Sequence, residues 1–421
     1  MNHKLVSKIA PGVGIALLAA AILLGACAGQ PGEAGSEGPQ GPPGPQGPAG
    51  PAGEDAGVRL EYVGSEQCAE CHAAEYTKFT LSGHPYQLTA VDGVEPEYPY
   101  DDRTGGVGDP PDGYTWEDVS YVVGGYAWKA LFLDQDGYLI TGDAESATQL
   151  NFDNEAAELD GGFVPYHAGE QVPYDCGSCH TTGYSPAGHQ NDMAGIVGTW
   201  ALDGVQCEAC HGPGSLHSSD PYGHLMILDR SNQLCADCHA TGAPGEIDAA
   251  GGFTGHYVQY DELFNSKHFA LQCIACHDPH ASSVYADAQA NPDAGLIQSC
   301  ESCHWQEEAV QNGERHAALS CTDCHMPPAG LSALGSSELF IGDLSSHLFS
   351  INPDPSAPQF NEDGTVAMPY LTLEYACGHC HNDEYANVKA IELLAERANG
   401  YHTPPTPTPE PAPPADAEPE G

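Results

Sequence analysis

The sequence predicts a fold of mainly short α-helices and loops with one small β-rich insertion, organised around large covalently held groups rather than around a side-chain core. Three observations predict it. Sixteen of the 17 cysteines fall into eight C-x-x-C pairs, each followed at once by histidine. Glycine (50) and proline (35) are abundant in a chain of 421 residues, which favours turns over long regular elements. Strand-like patterning with turn signals is confined to residues 95–170.

From the N-terminus, residues 1–26 read as an export signal, with Lys4 and Lys8 ahead of an apolar run from Val13 to Leu24 that is short for a membrane span. It ends in Leu24-Gly-Ala-Cys27, a lipobox-like sequence, so Cys27 is the expected lipidation site. With no Asp at position 28, a two-membrane cell is expected to carry the anchor in its outer membrane. Residues 27–57 form a lipid-anchored stalk: Gly recurs at every third place from Gly29 to Gly53, and Pro is frequent between. That pattern suits either a single-chain polyproline stalk or a collagen-like triple helix. Residues 58–400 form the folded unit. Residues 401–421, rich in Pro, Thr, Glu and Ala, cannot build a core and read as a disordered tail.

Within the folded unit, Tyr126–Leu133 and Tyr138–Thr141 flank the turn signal Asp134-Gln-Asp-Gly137 and predict a β-hairpin inside the 95–170 insertion. Apolar Tyr385, Val388, Ile391 and Leu394 recur at helical spacing before Gly400 and predict a helix that serves packing rather than cofactor chemistry.

The eight motifs are Cys68-Cys71-His72, Cys176-Cys179-His180, Cys207-Cys210-His211, Cys235-Cys238-His239, Cys273-Cys276-His277, Cys300-Cys303-His304, Cys321-Cys324-His325 and Cys377-Cys380-His381. Zinc ribbons or disulfides would need the cysteines but not a histidine after every pair. C-x-x-C-H is the attachment signature of haem c: two thiols bond the porphyrin and the adjacent histidine ligates the iron. The expectation is eight covalent haems in a haem-cored fold. The second axial position of each needs a further ligand, and histidine is in surplus. His268 and His316 each precede a motif by five residues with Ala-Leu between; His217 and His280 each follow a motif histidine across a Pro-containing turn. His84 ends the helix expected after the first motif, and His347 is the spare histidine between the last two.

The stretches Ser65–His72 leading to His84, Tyr121-Val-Val-Gly-Gly-Tyr-Ala-Trp-Lys129, Cys176–Tyr184, Gly204–His217 and Cys321–Pro327 resemble those of multihaem c-type cytochromes related to the pentahaem nitrite reductase and hydroxylamine oxidoreductase superfamily. The resemblance covers about residues 64–400. It implies stacked haem pairs, and it implies distal roles for His189 and His256, with His224 and His167 in reserve. The chain departs from the nitrite reductases in having no motif that ends in Lys.

The formal net charge of −48 excludes nucleic acid as a partner. The expectation is an exported, surface-anchored electron-transfer protein that relays electrons through bis-histidine haems in anaerobic or extracellular respiration. Its partners would be redox proteins or extracellular acceptors, the membrane through its anchor, and further copies of itself. The alternative is a multihaem oxidoreductase acting on a small nitrogen or sulfur compound at one five-coordinate haem.

Overall fold

β-Branched and aromatic residues concentrate between Leu88 and Pro173, and there the chain builds its one large sheet. A computed structural model describes residues 60–240, 245–286, 294–311, 316–382 and 387–403. The expected signal, Cys27, the stalk, Tyr385 and nearly all of the tail lie outside the described residues. The sheet is antiparallel, with strands β1 (Leu88–Ala90), β2 (Val119–Gly124), β3 (Lys129–Asp134), β4 (Tyr138–Leu139), β5 (Gln149–Asn151), β6 (Gly162–Val164) and β7 (Val172–Pro173). The path runs β1-β2-β3-β4-β7, and β5 pairs β3 and β6.

The expected hairpin is present, with Leu133 opposite Leu139. Gly137 has φ 84°, and a Cβ there would run into Ile196 and Met193, so the turn needs glycine. Two features differ from expectation. Tyr126–Trp128 is a loop, with Trp128 at φ 63°, and the longer partner of β3 is β2. The sheet also begins before residue 95 and ends after 170, because its edge strands are two or three residues long and carry little alternation.

The sheet is buried on both faces. Val122 and Phe132 pack with Tyr98, Tyr126 and Ile140 on one side; Tyr121, Val123 and Leu133 pack with Leu88, Tyr174 and Trp200 on the other. Val119 joins the Val122 side because the register slips between Val119 and Tyr121, as an extra residue in one strand requires. A third apolar cluster, including Ile247, Phe253, Leu348 and Leu371, ties residues from 247 to 376 together. No helix among the described residues is long and apolar enough to cross a membrane.

The helices are short, as expected. Several coincide with the motifs: Gly177–His180, Cys207–His211, Asn232–His239 and Cys321–His325. The expected C-terminal helix spans Ile391–Ala398. Its Leu394, Arg397 and Ala398 line the central cavity.

Candidate functional site

Each motif folds as one helical turn. The histidine N–H bonds the carbonyl of the first cysteine in His72 (2.9 Å), His180 (3.2 Å), His277 (3.0 Å), His304 (2.9 Å) and His381 (2.9 Å). Residues three and four apart share a helix face, so two sulfurs and an imidazole point the same way.

They point into a common space. A cavity of about 4140 Å³ is lined by 15 of the 16 motif cysteines and all eight motif histidines. A drug-sized ligand needs a pocket of roughly 300–1,000 Å³, so this volume suits several large groups. Its walls expose apolar side chains that a monomeric protein would not leave to water, among them Tyr222 (96% exposed), Leu225 (83%) and Leu228 (70%).

Eight further histidines line the same cavity: His84, His217, His256, His268, His280, His316, His347 and His402. Six of them stand opposite a motif histidine. Ring centres are 6.3 Å apart for His72 and His217, 6.2 Å for His211 and His280, 6.1 Å for His277 and His347, 5.9 Å for His304 and His268, 6.0 Å for His381 and His316, and 6.0 Å for His325 and His402. Metal–imidazole bonds of about 2 Å on both sides of one ion put ring centres roughly 6 Å apart. The spacing therefore fits iron held between paired imidazoles.

The chain matches the family model of cytochrome c554 and c-prime over residues 142–212, which contain the second and third motifs. It is 25% identical over 179 residues to the multihaem cytochrome MtrA of Shewanella baltica, covering 39% of this chain and 47% of that protein. It is 22% identical over 360 residues to the dissimilatory sulfite reductase MccA of Wolinella succinogenes, covering 63% of this chain and 51% of that one. The chain thus spans about half the length of these curated relatives. The solved octahaem sulfite reductase MccA of the same organism, form II, has the same fold at a TM-score of 0.56 and 16% identity, covering 82% of this chain and 72% of that one. By sequence and fold the chain is similar to multihaem c-type cytochromes.

The hydrogen bonds around a c-type cytochrome's ligands orient the rings and set their basicity. Here Nδ1 of His180, His211, His325 and His381 contacts the carbonyls of Gln87, Ile227, Phe349 and Asn387 at 3.0, 2.9, 2.6 and 3.1 Å, which would leave Nε2 to hold an iron. His217 does the same with the carbonyl of His224 (2.7 Å), and His316 uses the Tyr401 hydroxyl (3.1 Å). An iron ligand must be a neutral imidazole. His84, His256 and His347 present part of their surface to the cavity but lie deep in the chain, and that enclosure pushes each pKa down to about 4. The next contributors are His239 for His84, Lys129 and then His180 for His256, and His277 for His347.

Seven of the eight sequence-expected distal histidines line the cavity. His189 does not: its Nδ1 bonds the carbonyl of Ile196 at 2.5 Å, in a loop that bridges Gly198, and its ring faces no motif histidine. His402 lines the cavity instead and faces His325. The reserve histidines do not line the cavity either: His167 pairs with Glu170, and the side chain of His224 lies 3.6 Å from Asp220.

Two elements of the site carried no sequence signal. Glu208, inside the third motif, is 2% exposed and accepts backbone N–H groups of Val63, Gly64 and Gly214 at 2.7–3.0 Å. Glu262, 1% exposed, accepts from Thr254, Ser346 and the backbone N–H of His347. Burial raises its pKa to about 7, against those hydrogen bonds.

Proposed function

We propose that the chain is an octahaem electron conduit, exported and held at the cell surface by a lipid on Cys27 and a stalk. The paired imidazoles carry this reading: six motif histidines already face a second histidine at the spacing of one iron. His239 with His84 is the seventh pair, and His180 with His256 the eighth. Haem iron so ligated is a one-electron couple with both axial positions filled, suited to relay rather than to substrate chemistry.

Neighbouring sulfurs support a path. Cys68 lies against Cys207, Cys210 is near Cys235, Cys235 lies against Cys273, Cys276 is near Cys300, Cys300 lies against Cys321, and Cys324 is near Cys380. Cys179 lies against Cys238, which makes the second haem a branch at the fourth. The partners in this reading are redox proteins or extracellular acceptors, with self-association of the stalk or the haem domain as a further possibility of the same surface life.

The test is the mass of the mature protein together with low-temperature EPR. Eight haem additions, a diacylglycerol on Cys27 and low-spin signals throughout are expected. A mass short of eight haems, or a spectrum dominated by high-spin iron, would refute the conduit.

One observation favours the second reading, an oxidoreductase. His180 faces no second ring at 6 Å, and Lys129 competes with His256 for that side of the cavity. The Lys129 ammonium donates to the Ser332 carbonyl at 2.6 Å, and burial holds its pKa below the usual lysine value despite Asp343. An axial position left open there would let a small sulfur or nitrogen compound reach iron. Rapid CO binding by one of the eight reduced haems is the expected result in that case.

A further inference from the structure

Among the paired histidines, His280 is set apart by its hydrogen-bond partner. The neighbouring ligands bond neutral groups: carbonyls for His180, His211, His217, His325 and His381, a hydroxyl for His316, and the Gln259 side chain at 3.2 Å for His239. Nδ1 of His280 instead contacts a carboxylate oxygen, Oδ1 of Asp278, at 3.1 Å. The same oxygen accepts the backbone N–H of His280 at 3.0 Å, which fixes the geometry. The other oxygen, Oδ2, accepts the Lys78 ammonium at 2.8 Å. Lys78 belongs to the helix Ala73–Phe79, directly after the first motif, so this ion pair also joins two haem-binding segments. Among the described residues, Glu262 and Glu307 also approach ligand rings, but only to 3.8 Å (His347) and 4.0 Å (His304), too far for a hydrogen bond.

An anionic acceptor on Nδ1–H makes an imidazole a stronger donor to its metal, and second-shell hydrogen bonds are among the levers that set a haem potential. A stronger donor favours ferric over ferrous iron. A cation on the far side of the carboxylate weakens the same effect. We propose that Asp278 lowers the potential of the haem held by Cys207, Cys210, His211 and His280, and that Lys78 is its counterweight. This rests on the reading of His211 and His280 as one iron's two ligands. Since that haem stands between the first and fourth in the path, Asp278 and Lys78 together set the height of one step at the end of the wire.

The experiment uses the haem-loaded protein at one fixed pH, with potentials read by optical and EPR redox titration. Asparagine at 278 can still accept from the imidazole but carries no charge, so D278N is expected to move one haem of the eight to higher potential. K78Q frees the carboxylate and is expected to move one haem to lower potential. In the double variant, D278N/K78Q, the lysine has nothing to act on, and the result should match D278N alone. Opposite shifts from two variants of one ion pair are not produced by a structural role. Unchanged potentials in both, or shifts of the same sign, would overturn the proposal. If D278N does not fold, K78Q, altered at a partly exposed side chain, decides the sign alone. The parent reading is checked by H280A: a new high-spin signal supports the ligand pair, and its absence with a full low-spin count refutes the pair and this proposal with it. A new high-spin signal in H280A with unmoved potentials in D278N refutes the tuning alone.

Discussion

A buried carboxylate beside a ligand histidine is costly unless it is protonated, and Glu262 makes the point measurable. Its pKa rises from the ordinary value of 4.5 to about 7 in the folded chain because burial disfavours the anion. The folded state therefore binds more protons than the unfolded state between those values, and stability falls as pH rises through that window. A shift of that size corresponds to about 3 kcal/mol. E262Q, which keeps an acceptor for the His347 N–H, should flatten the slope of unfolding free energy between pH 4.5 and 7, measured in guanidinium; an unchanged slope would place the titration elsewhere. At the ligands themselves, H402A should convert one low-spin haem to high-spin, whereas H189A should leave the low-spin count intact, both read by EPR. The sequence singles out most of the histidines that line the cavity but not which motif histidine each one faces. The repeat that singled out His268 and His316 is real, yet His268 faces His304 and His316 faces His381, not the motif that follows each. Likewise His217 turns back to His72 and His280 to His211. Covalent attachment is written in adjacent residues, so the first ligand can be read locally. The second ligand comes from wherever the chain returns to the cavity, which no local pattern records. That is why no local pattern points from His325 to His402, at the edge of a low-complexity tail.

Among the elements, the motif turns depend on what lies between their cysteines. Glu208 occupies the turn Cys207–His211 and gathers the backbone N–H groups of Val63, Gly64 and Gly214. It thereby fixes the entry to the first motif and the start of the helix Ser215–Ser219 that presents His217 to His72. E208A would leave three buried donors without an acceptor, at about 1–3 kcal/mol for each. The expected outcome is a loss of several kcal/mol in chemical unfolding, with E208Q losing less, and a softened EPR signature of the first haem's ligand pair. The sheet was half legible for a related reason. Asp134–Gly137 announces its turn with side chains, and β4 follows it; β1, β5, β6 and β7 are held by pairing to distant strands rather than by their own sequence. The C-terminal helix showed its apolar spacing in the sequence, but spacing alone does not say that Leu394 lines the cavity, since any surface hidden from water carries such a stripe.

At the scale of the whole molecule, 59 acidic residues against 11 basic ones leave a net charge of −48 on a chain whose proposed task is to meet redox partners. Charge of that size acts at long range and sets encounter rates more than it sets the strength of a docked complex. Two of the few cations are already committed: Lys129 is buried against Ser332 and Asp343, and the partly exposed Lys78 is paired with Asp278. The surface that an approaching partner meets is therefore almost uniformly negative. Cationic acceptors are drawn to it and anionic ones repelled, and both effects fade as added salt shortens the screening length from about 30 Å at 0.01 M to about 8 Å at 0.15 M. Stopped-flow oxidation of the reduced protein should thus slow with rising ionic strength when the acceptor is a hexaammineruthenium-type cation, and quicken when it is ferricyanide. The driving forces of the two reagents differ, so the sign of each salt slope is the readout and not the absolute rate. Slopes near zero for both would mean that electrons leave through a local surface shielded from the bulk charge.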